Sequence, residues 1–192
     1  MLLIASVVAV ALVTFFAPLE RTLGANARFV YLHGAWVWVA LLLFAAAGVA
    51  GLLGLLLRRQ SWLRWSQALG WTALGLWVTF LPQSLLVMQA NWNGLFLDEP
   101  RFRVPLNYAV VGLLVQVGLA FLPLSWTALG NALFGAALFV GMRGIQTVLH
   151  PESPIFQPGT GDIKVFFAAL VVLLALVGVQ ISALIRRKLI TR

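Results

Sequence analysis

Two histidines are the side chains in this sequence best suited to bind a haem iron or another transition metal. His33 lies near the start of a long apolar segment, and His150 follows the apolar run 133–149. Neutral imidazole is a common ligand for both kinds of centre, and two imidazoles from different helices can form a bis-axial site. A zinc site would need three or four ligands, with carboxylates supplying the rest. The alternative is that each histidine lies at a membrane surface and bonds to headgroups or backbone.

Arg143 lies close to His150 in the sequence. Arg143, Gln146 and His150 are spaced three and four residues apart, which predicts that they share one face of a helix. An arginine inside a membrane span usually faces the interior of the bundle, where a propionate or another anion would pair with it. The alternative is that its side chain reaches up to the membrane surface.

The segment 89–103 mixes aromatic, aliphatic and charged residues between two apolar stretches. It contains Trp92 and Phe96, followed by an acid-proline-arginine turn at 98–101. Such a segment could lie flat at the membrane surface and offer one face to a flat apolar ligand. The alternative is an aromatic belt, which membrane proteins carry at both interfaces.

The composition predicts that membrane-spanning helices position these side chains. Of 192 residues, 62% are hydrophobic and 9% are charged, and the mean hydropathy is +1.00. A soluble domain carries about 25% charged residues, so the sequence predicts an all-α integral membrane protein with one membrane domain over 1–192. There are no cysteines, which excludes disulfides, thiolate metal sites and covalent thioether attachment of haem.

The hydropathy pattern predicts a bundle of six transmembrane helices. Each apolar segment is near the roughly 20 residues needed to cross a bilayer, and the first is interpreted as a retained anchor rather than a signal peptide. Pro82 predicts a kink in the third segment. The predicted spans are 2–17, 29–57, 69–88, 104–122, 124–149 and 163–185.

The charge distribution predicts the orientation. One set of helix ends carries only bases: Arg58, Arg59, Arg64, Arg186, Arg187, Lys188 and Arg192. The positive-inside rule places this set, and both termini, in the cytoplasm. The loops at 18–28, 89–103 and 150–162 then face outward, so His33 and His150 are expected on the same external side. This topology accounts for the net charge of +8 without nucleic acid, and membrane lipid is the expected surrounding.

Three segments, in order, resemble the cytochrome c assembly family of haem-handling membrane proteins. Arg28-Phe-Val-Tyr31-Leu-His33-Gly-Ala-Trp36 is similar to the family's Arg-x-x-Tyr-x-His entry to its second span. The loop 89–103 resembles its tryptophan-rich motif, and 147–151 resembles its Thr-Leu-His segment. The matched loop residues are Trp92, Gly94, Asp98, Pro100 and Arg101. The resemblance covers about 28–187, and the six spans look like the haem exporter protein C branch.

The resemblance implies non-covalent haem b at the outer face of a bacterial cytoplasmic (inner) membrane. His33 and His150 would be the axial ligands, the loop with Trp92, Asp98 and Arg101 would cradle the macrocycle, and Trp36 belongs to the entry motif. Such a protein would work with an ABC-type transporter or an assembly complex and pass haem to an external acceptor. It would not be an enzyme in its own right.

Two other functions stay open from the sequence. A b-type electron-transfer subunit would also bind haem between histidines, although its ligands usually lie deeper in the helices. A structural accessory subunit of a larger membrane complex would have lost haem binding. The loop carries Leu95, Phe96 and Leu97 where the family has most of its tryptophans, and this favours the accessory alternative.

Overall fold

The regular secondary structure of the described residues is helical. The computed structural model describes residues 1–145 and 154–190. Within them lie α1 (Leu2–Phe15), α2 (Ala27–Leu56), α3 (Gln60–Trp92), α4 (Pro100–Leu119), α5 (Leu124–Arg143), a short 3₁₀ turn (Pro154–Phe156) and α6 (Gly161–Ile190). The helices α2 to α6 are long and apolar enough to cross a membrane, whereas α1, with 14 residues, is shorter. The protein is therefore a multi-pass membrane protein of the all-α class.

Helix α3 begins nine residues before the predicted span, at Gln60, and continues through Pro82. Its extension is stabilised by packing on the end of α2. A Cβ atom at Gly54 would lie 2.6 Å from the Leu63 side chain, and one at Gly51 would lie 2.9 Å from the Ser66 hydroxyl. These contacts are tertiary, so the apolar pattern of α3 alone does not reveal them.

Two other helices are shorter than predicted. Helix α1 ends at Phe15 because Pro18 disfavours helical backbone at the residue before it. Helix α5 ends at Arg143, with Gly144 in a turn and Ile145 outside the helix. The predicted span continued to 149, with a shared helical face for Arg143, Gln146 and His150, so the described helix is shorter than that prediction. Glycine is a poor helix former, and Gly141 and Gly144 weaken this end. Gln146 and His150 lie outside the described residues.

The central helices are α2 and α3, which pack along each other, with α5 and α6 against both. Small residues allow α2 and α5 to approach closely: a Cβ at Gly48 would lie 3.2 Å from the Ala132 backbone. Four aromatic rings pack edge to face in the core, those of Phe44, Trp77, Phe80 and Phe134. Their centroid separations run from 4.7 Å for Trp77–Phe80 to 6.3 Å for Phe44–Trp77, and Phe134 lies 5.2 Å from Phe44.

The outer surface of the bundle is apolar. On α4, for example, the side chains of Val110, Leu113 and Leu114 are exposed, and on α2 those of Leu42 and Val49 are exposed. Helices satisfy their own backbone groups and can present such side chains to lipid tails. The surface therefore fits contact with membrane lipid.

A buried polar network joins α3, α4 and α5. Asn131 donates to the Ser66 carbonyl at 2.9 Å and to its hydroxyl at 3.1 Å, and accepts from the Gln116 amide. All three side chains are at most 1% exposed. We refer to Ser66, Gln116 and Asn131 as the amide cluster. Gly70 makes room for it, since a Cβ there would lie 2.7 Å from Asn131 Oδ1.

Candidate functional site

A cavity of about 300 Å³ opens at the end of the bundle where α2 begins and α3 ends. Residues from the loops after α1, after α3 and before α6 meet here. The side-chain amide of Asn26, just before α2, donates to the Ala90 carbonyl at 2.8 Å and ties the loop after α1 to the last turn of α3. The cavity is lined by Leu23, Val30, His33, Gly34, Val37, Trp38, Phe80, Ser84, Val87, Met88, Asn91, Trp92, Glu99, Arg101, Pro105, Met142, Ile155, Phe156 and Phe167.

His33 enters the cavity from the second turn of α2. Positions 30, 33, 34 and 37 recur at helical spacing, so one stripe of α2 forms this wall. The His33 ring lies 5.7 Å from that of Phe80 on α3, with the planes tilted by 56°. Gly34 lets α6 approach, since a Cβ there would lie 3.2 Å from the Phe167 ring. The imidazole therefore lies beside the Phe80 ring, in a cavity that other aromatic side chains also line.

The wall from α3 runs from Phe80 to Trp92. These residues are separated by about 18 Å along the helix axis. The deeper part is apolar, and the part near the helix end carries Asn91 and Trp92. Asn91 donates to the Val87 carbonyl at 2.9 Å, whereas its Oδ1 atom is buried without a hydrogen-bond partner in the described part of the chain. The cavity thus has a polar end and an apolar end.

The start of α4 supplies the charged groups of the cavity. Glu99 is the N-cap, and one of its carboxylate oxygens accepts from the Arg101 amide at 3.3 Å. Its side chain is only 1% exposed, and Arg101 lies beside it on the exposed rim. The Trp77 indole donates to the Pro105 carbonyl at 3.1 Å and fixes α4 against α3. An acid and a base therefore share the polar end.

The structure brings together some of the predicted site residues and separates others. His33, Trp92 and Arg101 line one cavity. The Trp36 indole instead donates to the Leu76 carbonyl and the Thr79 hydroxyl, both at 3.1 Å, so its polar group serves the α2–α3 contact.

Two charged residues predicted for the site lie at the surface. Asp98 is exposed and pairs with Arg103 at 3.3 Å. Arg143 is exposed, and its guanidinium lies 5.4 Å from the centre of the Phe139 ring. Neither is among the described residues that line the cavity. His150 falls in 146–153, outside the described residues, while Met142 and Ile155 on either side of that segment both line the cavity.

Glu99 is the residue that the sequence analysis missed. The sequence pattern indicates a turn at 98–101 in a surface segment and does not single out Glu99, yet this residue is buried in the cavity wall. A signal was present, because an acid directly before Pro100 is typical of a helix start with proline at its first position. That signal locates the helix end but does not distinguish Glu99 from Asp98 by burial.

The cavity residues fit a haem group in their chemistry. An imidazole is available for axial ligation, aromatic and aliphatic side chains suit the porphyrin faces, and the rim arginine suits a propionate. The volume is at the lower end for small-molecule sites, so a ligand as large as haem would be enclosed only in part. Among the described residues, no three His, Cys, Asp or Glu side chains gather as a metal site.

No family model, no curated protein and no solved structure matches the chain.

Proposed function

We propose that this chain is a haem-handling membrane protein of cytochrome c biogenesis, and that the cavity between α2, α3 and α4 is where haem is held. The observation that carries the proposal is the convergence of His33, Trp92 and Arg101, from three separate segments, on one cavity. His33 would supply one imidazole ligand, and His150 is the second ligand that the sequence predicts.

Each described side chain has a role in this function. His33 would bind the iron, and Phe80 lies beside the imidazole. Trp92 would pack on the macrocycle, and Arg101 would pair with a propionate at the rim. Haem, when bound, would supply the iron that the imidazoles of His33 and His150 coordinate. Partial enclosure suits a protein that passes its ligand on, because one edge stays accessible to an acceptor.

The setting of the protein follows from the charge pattern and belongs to the same proposal. The cavity end faces outward, and the base-rich end with Arg58, Arg59 and Arg64 faces the cytoplasm, as the positive-inside rule predicts. Helix α1 serves as a sixth span, supported by its contact with α6, where Gln180 donates to Ser6 at 3.0 Å. The membrane is a bacterial inner membrane, both termini are cytoplasmic, and the chain is not an enzyme.

The proposed partners are an ABC-type transporter or assembly complex in the membrane and an external haem acceptor. The apolar outer surface leaves room for neighbouring membrane subunits. The resemblance of 28–187 to the cytochrome c assembly family motivates both partners.

The test is an absorption spectrum of the detergent-purified protein, oxidised and reduced, after addition of haem. We expect a Soret band and sharp reduced bands in the wild type, weakened in His33→Ala and in His150→Ala. Asp98→Asn is the control, because its exposed side chain pairs with Arg103 away from the cavity. A spectrum that is the same in wild type and His33→Ala would contradict the proposal.

A transfer experiment separates haem handling from electron transfer. Loaded protein is mixed with apomyoglobin, and haem movement is followed by the change in the Soret band. We expect transfer within minutes to hours. Haem that cycles reversibly between redox states but never transfers would favour the b-type electron-transfer subunit instead.

A further inference from the structure

The end of the bundle opposite the cavity, where α2 and α6 end and α3 begins, is strongly basic. Four arginines from the turn between α2 and α3, the first turns of α3 and the last turns of α6 lie here. We refer to Arg58, Arg59, Arg64 and Arg186 as the basic cluster. The acidic side chains of the described residues all lie in or beside the connections at the opposite end.

The side chain of Arg186 reaches from α6 to the first turns of α3. Its Nη2 atom donates to the Ser61 hydroxyl at 2.9 Å, and its guanidinium lies 4.9 Å from the centre of the Trp65 ring. Ser182, one turn earlier, donates to the Thr72 hydroxyl at 2.8 Å and fixes the register of the two helices.

This register shows in which direction the Arg186 side chain extends. Ser61 precedes Thr72 by 11 positions, about 16 Å along α3, whereas Arg186 follows Ser182 by 4 positions, about 6 Å along α6. The guanidinium bridges that difference in height and so extends toward the helix ends. Arginines in membrane proteins extend in this way to bring their charge to the headgroup level.

The charge of Arg186 is oriented but not neutralised by its described contacts. The Ser61 hydroxyl and the Trp65 ring are both neutral. The side chain is partly buried, and its Nε atom is buried without a hydrogen-bond partner in the described part of the chain. Removing a cation from water costs free energy unless an opposite charge accompanies it. An anion bound from outside would offset this cost.

The start of α3 adds further groups that favour an anion at this place. The first amides of a helix and its dipole attract negative charge, and Arg59 at the N-cap makes no side-chain capping bond. Arg64 lies three positions after Ser61 and therefore projects from the same side of the helix. Arginine binds phosphate oxygens through parallel N–H groups. A phosphate group near Ser61 would meet donors from both helices.

The surroundings of the basic cluster indicate which phosphate it meets. Leu56 and Leu57 at the end of α2, Trp62 on α3 and Leu184 on α6 are all exposed. On a membrane-spanning bundle such side chains contact lipid, and tryptophan favours the headgroup level. A phosphate held at the cluster thus has apolar protein surface directly beneath it, which suits a phosphate that carries acyl chains.

We propose that the basic cluster binds the headgroup phosphate of an anionic phospholipid, and that Arg186 is the residue that contacts this phosphate. The acyl chains of the lipid extend along the apolar surface beside α3 and α6. Clusters of bases next to membrane helices recognise anionic lipids through this charge attraction. The inference is independent of the proposed function, because the cavity lies at the other end of the bundle.

The experiment measures lipid preference in the detergent-purified full chain. Pyrene-labelled phosphatidylglycerol or phosphatidylcholine is titrated into the micelles, and energy transfer from tryptophan to pyrene reports binding. The ratio of the two affinities is compared between the wild type, Arg186→Gln and Arg64→Gln. Arg21→Gln is the matched control, because it removes the same charge from an exposed side chain in the loop after α1, at the opposite end.

We expect the wild type to prefer phosphatidylglycerol and Arg186→Gln to reduce that preference about fivefold, the effect of one base near an anionic headgroup. Arg64→Gln should reduce it by a smaller factor, and Arg21→Gln should leave it unchanged. Added sodium chloride should lower the preference of the wild type through screening. Inorganic phosphate should displace the labelled lipid no better than chloride at equal ionic strength.

Four outcomes would overturn the inference. The first is a wild type without preference for phosphatidylglycerol, and the second is an equal preference in the wild type and in folded Arg186→Gln. The third is an equal reduction in Arg21→Gln, which would assign the effect to total charge. The fourth is displacement by inorganic phosphate, which would assign the cluster to a free anion. If a thermal unfolding curve shows that Arg186→Gln is unfolded, Arg64→Gln decides, and an unchanged preference in it contradicts the proposal.

Discussion

The His33 imidazole lies against the ring of Phe80, with the two centroids 5.7 Å apart. Phe80 in turn meets Trp77 edge to face at 4.7 Å, and the Trp77 indole donates to the Pro105 carbonyl. A chain of contacts thus runs from α2 through α3 to α4. These contacts hold the His33 imidazole against a side chain that is itself fixed by packing, as a preorganised site requires.

Replacing Phe80 by alanine should damage both the fold and the site. Phe80 is 2% exposed, and a buried phenylalanine changed to alanine costs about 3–5 kcal/mol. We expect that loss in the free energy of unfolding, measured by dodecyl sulfate titration in mixed micelles. Phe80→Leu should recover most of it. Phe121→Ala is the control, since that ring is 84% exposed, and an equal loss in it would contradict the packing described above.

Trp36→Phe should reduce stability slightly and leave ligand binding unchanged. The change removes the indole donor to Leu76 and Thr79, and one hydrogen bond is worth about 0.5–1.5 kcal/mol. The measurement pairs an unfolding titration with a haem titration. A large loss of haem affinity without a loss of stability would instead support the role that the sequence motif suggested for Trp36.

Two glycines in α3 provide a matched test of packing at the amide cluster. Gly70→Ala should cost about 1–3 kcal/mol, because its Cβ would lie 2.7 Å from Asn131 Oδ1 and 2.9 Å from Gln116 Nε2. Gly75→Ala should be neutral or stabilising by up to about 1 kcal/mol, since no atom beyond the local helix backbone lies within 4 Å of its Cβ. Unfolding titrations of both variants measure these changes in stability. A Gly75→Ala variant that is less stable than Gly70→Ala would contradict the packing described here.

Asn131→Ala should destabilise the bundle by about 1–3 kcal/mol. The substitution removes the donor to Ser66 and leaves the Gln116 amide without its acceptor in a site that is 1% exposed. Adding Gln116→Leu should restore part of the lost stability, because removing both hydrogen-bonding groups costs less free energy than leaving one buried without a partner. A double variant that is less stable than Asn131→Ala would refute this account.

The sequence was sufficient to predict the helices and the end at which several site residues meet. Apolar stretches alternate with short loops, so alternate loops must lie at the same end of a bundle, and this brings His33 and Trp92 together. The stop of α5 at Arg143 was not predicted, because the apolar pattern continues to 149 and outweighs the weak helix preference of Gly141 and Gly144.

The choice of cavity residues depended on packing that no local pattern encodes. Asp98 and Glu99 are adjacent acids, yet Asp98 is exposed and Glu99 is buried in the cavity wall. Trp36 lies one turn after His33, but the cavity stripe of α2 runs through 30, 33, 34 and 37, so the Trp36 indole meets α3 instead. Both outcomes depend on how helices are rotated against their neighbours.

The amide cluster lies far from the cavity. Ser66 and Phe80 both belong to α3, and the 14 positions between them correspond to about 21 Å along the helix axis. Free-energy effects of substitutions at sites this far apart usually add. Sequence changes at the cavity can therefore alter what binds there while the remote cluster maintains the fold, so ligand preference in this bundle is free to diverge without loss of its architecture.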